Sequence, residues 1–219
     1  MSAGDGTFSA DRPTNHPGVP MTVSADDLET AVASVVDALR PGTDRDWTVP
    51  ADGLDWDCWH TGEHLGDCLL SYAMQLAARP ADRYVRFLAN VDKEATPAQV
   101  LEFVEGSGQV LAAMVRTAPT SVRAWHPQGM ADPAGFAGMG CVELLLHGDD
   151  IARGLGLAFT PPAELCARVL ARMFPQVAPE LTGVDPWPAL CWATGRTELP
   201  GRPRLHEWRW HAARPGEDA

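Results

Sequence analysis

The chain has 219 residues, a formal net charge of −12, 45% hydrophobic and 21% charged residues. This composition suits a soluble globular protein with one domain of ordinary size and an appendage, and the negative charge argues against nucleic acid or an anionic membrane as partner. No apolar run of about 18 residues is present to span a membrane, and the first 20 residues lack the basic start and apolar stretch of a secretory signal.

Residues 1–22, bearing proline, glycine and aspartate, read as a flexible N-terminal tail. Ser24 followed by Asp27 opens a first helix, whose apolar positions Leu28, Ala31, Val32, Val35, Val36 and Leu39 recur at helical spacing until Pro41-Gly42 stops it. A loop with Trp47 and Pro50 leads to Asp57, the N-cap of a second helix running to about Ala78, where Arg79-Pro80 ends it. That helix carries His60, His64, Cys68 and Tyr72. The stretch from Arg83 to Leu88 reads equally as a short strand or an extended linker. Thr96-Pro97-Ala98-Gln99 holds an N-cap, a proline at the first helical position and a capping box, and predicts a third helix to about Thr117. Asp132-Pro133 opens a fourth to about Leu155. Gly135, Gly138 and Gly140 in its first half leave room for another backbone or a ligand.

Thr160-Pro161-Pro162 begins a fifth, shorter helix ending before Pro175. Leu190 to Thr194 reads as a short helix closed by Gly195, and Leu205 to His211 as an extended strand around Trp208 and Trp210. The expected fold class is therefore all-α: a four-helix bundle over residues 23–158, with a short extra helix and a small extended or β segment in a C-terminal extension, 159–219, packed on it. Five cysteines, at positions 58, 68, 141, 166 and 191, form no Cys-x-x-Cys pair, so reduced thiols in a cytoplasmic protein are the expectation.

Chemistry concentrates in the fourth helix. Glu143 and His147 project from one face, one turn apart, inside an otherwise apolar segment with Leu144, Leu145 and Leu146. Burying both is costly unless something offsets their polarity, and a divalent cation does so. His64 on the second helix offers a third ligand from a facing element. Two imidazoles and one carboxylate match a catalytic zinc set with an open position, and nickel is the alternative metal. Asp150, three residues after His147, is placed to accept from a ligand histidine and set its tautomer. A lone Glu-x-x-x-His is also a common helical pair, His64 reads as well as a half-buried histidine satisfied by a neighbour, and His60 and His64 can pair with each other. His60 is taken as a neighbour of the site. Cys68 is either a soft ligand or a small core residue.

Trp56, seven residues, then His64-Leu65 resembles the second-helix signature of the DinB-like superfamily, specifically the mycothiol-dependent maleylpyruvate isomerase N-terminal domain family. Glu143-Leu-Leu-Leu-His147-Gly148-Asp149-Asp150-Ile151-Ala152 is similar to its fourth-helix signature, and Leu190-Cys-Trp-Ala-Thr-Gly-Arg196 with Leu199-Pro-Gly-Arg202 to its tail. The resemblance spans about residues 24 to 210. It implies a four-helix bundle holding a divalent metal, usually zinc, on His64, Glu143 and His147. It further implies mycothiol or another low-molecular-weight thiol as cosubstrate, whose thiolate adds to an electrophilic carbon. Fewer than 65 residues follow the fourth helix, where the isomerase has a larger C-terminal domain, so the implied substrate is a small electrophile and not maleylpyruvate in particular. The leading expectation is a thiol-dependent transferase or isomerase, with Arg153 and Arg196 receiving an anionic part of thiol or substrate. A metal-dependent hydrolase using Glu63, Asp67 or Asp150 as base, and a non-catalytic metal- or ligand-binding bundle, are the alternatives. A homodimer is compatible with either.

Overall fold

Local capping explains where each long helix begins in the computed structural model, which describes residues 22–214. The expected tail lies, but for its last residue, outside the described residues. Helix α1 (Ala25–Leu39) opens on a capping box: Asp27 N–H donates to Ser24 Oγ at 3.2 Å, and Ser24 N–H donates to the Asp27 carboxylate at 2.9 Å. Asp57 caps α2 (Cys58–Ala78) by accepting from His60 N–H at 2.7 Å, and Arg79, in the left-handed region at φ 54°, closes it. Thr96 and Gln99 box the start of α3 (Pro97–Thr117). Asp132 caps α4 (Pro133–Gly154) by accepting from Gly135 N–H at 2.7 Å. These bonds satisfy amides that the first turn of a helix leaves without partners.

The four helices form the bundle, with α1 packed on α3 and α4, and α2 packed on the same two, so that α1 and α2 stand diagonally opposed. Helix α4 is the most enclosed; at Gly140 an added methyl would meet Leu111, Leu28 and Leu69 at 2.8, 2.9 and 3.4 Å, side chains from the other three helices. The room left by the glycines of α4 is thus filled by protein: Met173 lies over Gly138, and the Ala212 carbonyl over Gly135. No helix among the described residues is long and apolar enough to cross a membrane.

The segment after α2 is an extended linker and not a strand. Its amides bond to side chains of α2: Val85 N–H to Gln75 Oε1 at 2.9 Å, Ala89 N–H to Asp67 at 2.7 Å and Val91 N–H to Glu63 at 2.9 Å. Beyond the bundle, α5 (Ala163–Met173) packs on α4 and on α6 (Pro186–Ala193). Helix α6 starts four residues before the expected Leu190, because Asp185 caps it and Pro186 takes the first position.

The strand expected from Leu205 to His211 does not form. Among the described residues the sheet-like pairings are isolated bridges, and the one from this tail joins Ala131 to Ala213. No neighbouring edge is offered, and a lone strand has nothing to stabilise it. The tail is tethered at its ends instead: Trp192 Nε1–H donates to the Pro203 carbonyl at 2.9 Å, and His211 N–H to the Met173 carbonyl at 2.8 Å. Arg172, 1% exposed, donates to the His211 and Ala212 carbonyls and pairs with Asp132 at 2.9 Å. All five cysteines are unpaired, four of them buried.

Candidate metal centre

Helices α2 and α4 bring His64, Glu143 and His147 together: each offers one ligand atom, and these atoms lie within 4.8 Å of one another. The rings of His64 and His147 meet edge to face at 5.3 Å between centroids, and Trp56 packs edge-on against the outer side of His64 at 4.9 Å. Residues separated by nearly eighty positions converge because both helices border the same side of the core.

The hydrogen-bond pattern tests whether these residues fit a cation. Asp150 Oδ2 sits 3.1 Å from His147 Nδ1. A carboxylate only accepts, so Nδ1 carries the proton. In the neutral ring Nε2 then presents a lone pair, and it faces Glu143 Oε2 at 3.3 Å. Two buried acceptors at that distance repel unless a proton or a metal ion lies between them. The donor set fits a divalent ion of borderline softness such as zinc, and a proton competes for the same place.

The electrostatics follow. Burial alone lowers the pKa of His147, but hydrogen bonds to Asp150 and Glu143 outweigh it and hold the ring up at about 9. Burial raises Glu143, and the opposing hydrogen bond from His147 and the two nearby imidazoles bring it below the ordinary carboxylate value. His64 is lowered, chiefly by desolvation, which keeps it neutral and ready to ligate. Asp150, despite burial, is held low by His147 and by Arg196, whose Nη2 donates to it at 2.9 Å.

Tyr72 completes the centre. Its hydroxyl donates to Glu143 Oε1 at 3.1 Å, leaving Oε2 to face His147 Nε2. Burial pushes the phenol well above its ordinary pKa, so it remains a donor. Sequence reasoning placed Tyr72 on the helix without a role, although His64, Cys68 and Tyr72 follow one another at steps of four, a single stripe of α2. Outer partners of metal ligands contribute roughly 10–100-fold in affinity. Tyr72→Phe is accordingly expected to weaken metal binding about tenfold with an unchanged fold, read by competition with a chelator; equal affinities would strip Tyr72 of this role.

The other candidates are not among the three converging side chains. His60 is exposed, holds Asp57 at 2.8 Å and lines a small pocket together with His64. Cys68 Sγ lies 3.4 Å from His64 Nε2, with its thiol pKa raised far above ordinary by burial. Glu63 and Asp67 spend oxygens on the linker amides. Arg153 is paired with Asp52 and lies 3.7 Å from Asp149. His206 lines the cleft, whereas His211 contributes its backbone to the tail's attachment.

A cleft of about 950 Å³ opens onto the centre, lined by His64, Glu143 and His147, by Asp52 and Leu54 of the loop before α2, and by tail residues including Arg204, Trp208 and Trp210. Behind it, His126 is 6% exposed within a cage of Tyr72, Tyr84 and Trp210 rings, and its Nδ1 accepts from Gln128 N–H at 3.0 Å. Desolvation drops its pKa from 6.5 to about 4. The unfolded chain therefore takes up this proton first on acidification: the stability that neutral His126 contributes is complete above about pH 6.5 and is lost as pH falls towards 4. His126→Asn, which keeps an acceptor but does not titrate, is expected to flatten that acid limb in melting curves from pH 4 to 8. An identical limb in the variant contradicts the assignment.

The family described as Mycothiol maleylpyruvate isomerase N-terminal domain matches residues 26–152, more than half of the 219 residues. The match takes in all three converging side chains and none of the tail. No curated protein and no solved structure matches the chain.

Proposed function

The chain belongs to the mycothiol maleylpyruvate isomerase N-terminal domain family, and from that membership we propose that it is a metal-dependent enzyme using a low-molecular-weight thiol, mycothiol, as cosubstrate. It joins the thiol to a small electrophilic substrate as a transferase, or adds and releases it as an isomerase. The observation that carries this reading is the convergence of His64, Glu143 and His147, ligand atoms within 4.8 Å of one another, beside an open cleft. Zinc suits two imidazoles and a carboxylate best. When bound, it supplies a position at which a thiol is held as its thiolate at neutral pH.

The remaining chemistry belongs to the chain. Asp150 accepts from His147 Nδ1–H and so turns the Nε2 lone pair toward Glu143. Arg196 neutralises Asp150, which keeps the proton on His147 Nδ1. Tyr72 fixes the Glu143 carboxylate at one oxygen. Val142 and Leu146 give the cleft an apolar stretch beside the centre, where fewer waters compete with a thiol for an electrophile. The five free cysteines suit a reducing compartment, the cytoplasm.

A hydrolase needs a free general base near the centre. Glu63 and Asp67 are engaged with the linker, and Asp150 with His147 and Arg196, which favours thiol addition over water activation. The test is turnover of a reactive electrophile by the zinc-loaded protein with and without mycothiol. Product formation only when thiol is present supports the reading; equal turnover without thiol overturns it.

A further inference from the structure

The two histidines of the centre are secured by different means. His147 donates Nδ1–H to Asp150, which Arg196 holds in turn. His64 shows no such acceptor among the described residues; the polar contact of its ring is with Cys68 Sγ, 3.4 Å from Nε2 and 3.8 Å from Nδ1. The two ring nitrogens flank Cε1 and point in different directions. A sulfur nearly equidistant from both therefore sits against the face of the ring, in line with neither lone pair. A metal-bound imidazole is ordinarily oriented by the hydrogen bond its second nitrogen makes. His64 is oriented by rings instead: Trp56 packs on it at 4.9 Å between centroids and 66° between planes, His147 at 5.3 Å and 86°.

Trp56 is no core residue. It is 48% exposed, so burial of its own apolar area accounts for little of its placement. Its loop is nonetheless fixed. Ala51 N–H donates to the Trp56 carbonyl at 2.9 Å, Cys58 N–H donates to the Val49 carbonyl at 3.0 Å, and Pro50 and Asp57 form an antiparallel bridge. The same loop is tied to α4: Asp52 N–H donates to the Asp150 carbonyl at 2.9 Å, and the Asp52 carboxylate pairs with Arg153. Asp150 thus sets His147 with its side chain and, through its backbone, braces the loop that carries Trp56 to His64. His64 and Trp56 also border a second pocket of about 250 Å³, which includes Glu63 and Asp67. Without the indole, the imidazole has space to turn into and carboxylates there to receive its N–H.

We infer that Trp56 is the positioning residue of His64, its indole holding the imidazole in the orientation that converges with Glu143 and His147. The inference rests on the metal-centre reading and adds what aligns its third ligand. The physical basis is preorganisation: a ring already held in place loses less rotamer freedom when an ion binds, so affinity rises without a new bond to the ion.

The test loads the full chain with Co²⁺, whose visible absorption reports ligand number and geometry, and with Zn²⁺ in competition with a chelator. Trp56→Ala and Trp56→Leu are expected to weaken both ions by about tenfold and to shift the cobalt bands, while the metal-free chain keeps its circular dichroism and melting temperature. Trp56→Phe, which keeps a ring against His64, is expected to restore the bands and most of the affinity. Unchanged bands and affinity in Trp56→Ala overturn the proposal. So does full retention by Trp56→Leu, which would make bulk sufficient, or a loss in Trp56→Phe equal to that in Trp56→Ala. Failure of the unaltered chain to take up either ion brings down the metal-centre reading itself, and the positioning role with it.

Discussion

Glu143→Ala is expected to abolish metal retention and thiol-dependent turnover together. Glu143 is the only oxygen among the three converging ligands, and without it two imidazoles remain. Two-ligand sites hold zinc far more weakly than three-ligand ones, so affinity should fall by more than the ~100-fold upper range for losing an outer partner. The helix survives the change, because Leu144, Leu145 and Leu146 stay buried on α4. Glu143→Gln separates two contributions: it keeps an acceptor for the Tyr72 hydroxyl but removes the charge. It should fold as the unaltered protein does and still lose metal. Elemental analysis of purified variants decides the matter, and a full equivalent of metal in Glu143→Ala would end the proposed chemistry.

Asp132→Ala is expected to be the most destabilising single change away from the centre, at about 3–5 kcal/mol. Asp132 Oδ1 caps α4 through Gly135 N–H and is the carboxylate paired with Arg172. Arg172 is 1% exposed, so removing its partner leaves a buried charge served by two carbonyls, of His211 and Ala212, and the Met173 sulfur. Asp132→Asn retains the cap and isolates the charge. Arg172→Met in the same background removes the stranded guanidinium and should recover much of the loss, since replacing both members of a buried pair by apolar groups is often nearly neutral. Urea denaturation of the unaltered protein, Asp132→Ala, Arg172→Met and the double variant reads the cycle. A loss below about 1 kcal/mol for Asp132→Ala, within the reach of capping alone, would refute the buried-charge argument.

What could be read in advance was what is local. Ser24 with Asp27, Asp57, Thr96 with Gln99, and Asp132 act across three residues or fewer, and each helix starts where they stand. Glu143, His147 and Asp150 lie within two turns of one helix, so their mutual contacts followed from spacing. That His64 joins them depends on how α2 and α4 pack, which the plan of a helix bundle and a resemblance suggested and periodicity alone did not. Asp185-Pro186 carries the same opening signal as Asp132-Pro133, and the short helix expected from Leu190 opens there. The tail defeated pattern reading altogether. Its alternation around Trp208 and Trp210 looked like a strand, while its placement comes from a buried arginine forty positions earlier and from the space over Gly135. Neither leaves a mark in the residues from 205 to 211. Arg153 and Arg196 were natural choices for an anion until their carboxylate partners were seen.

The division of labour in the cleft has a consequence for how such a protein diversifies. Its floor of converging His64, Glu143 and His147 is anchored in two long helices, whereas the facing span from Arg204 to Trp210 is irregular, moored at either end by Trp192 and Arg172. Exchanging side chains along that span alters which molecules are admitted and leaves the helical register beneath untouched. Which molecules the cleft admits is thereby free to drift by substitution in the tail, while the geometry of the converging side chains is held fast by the scaffold.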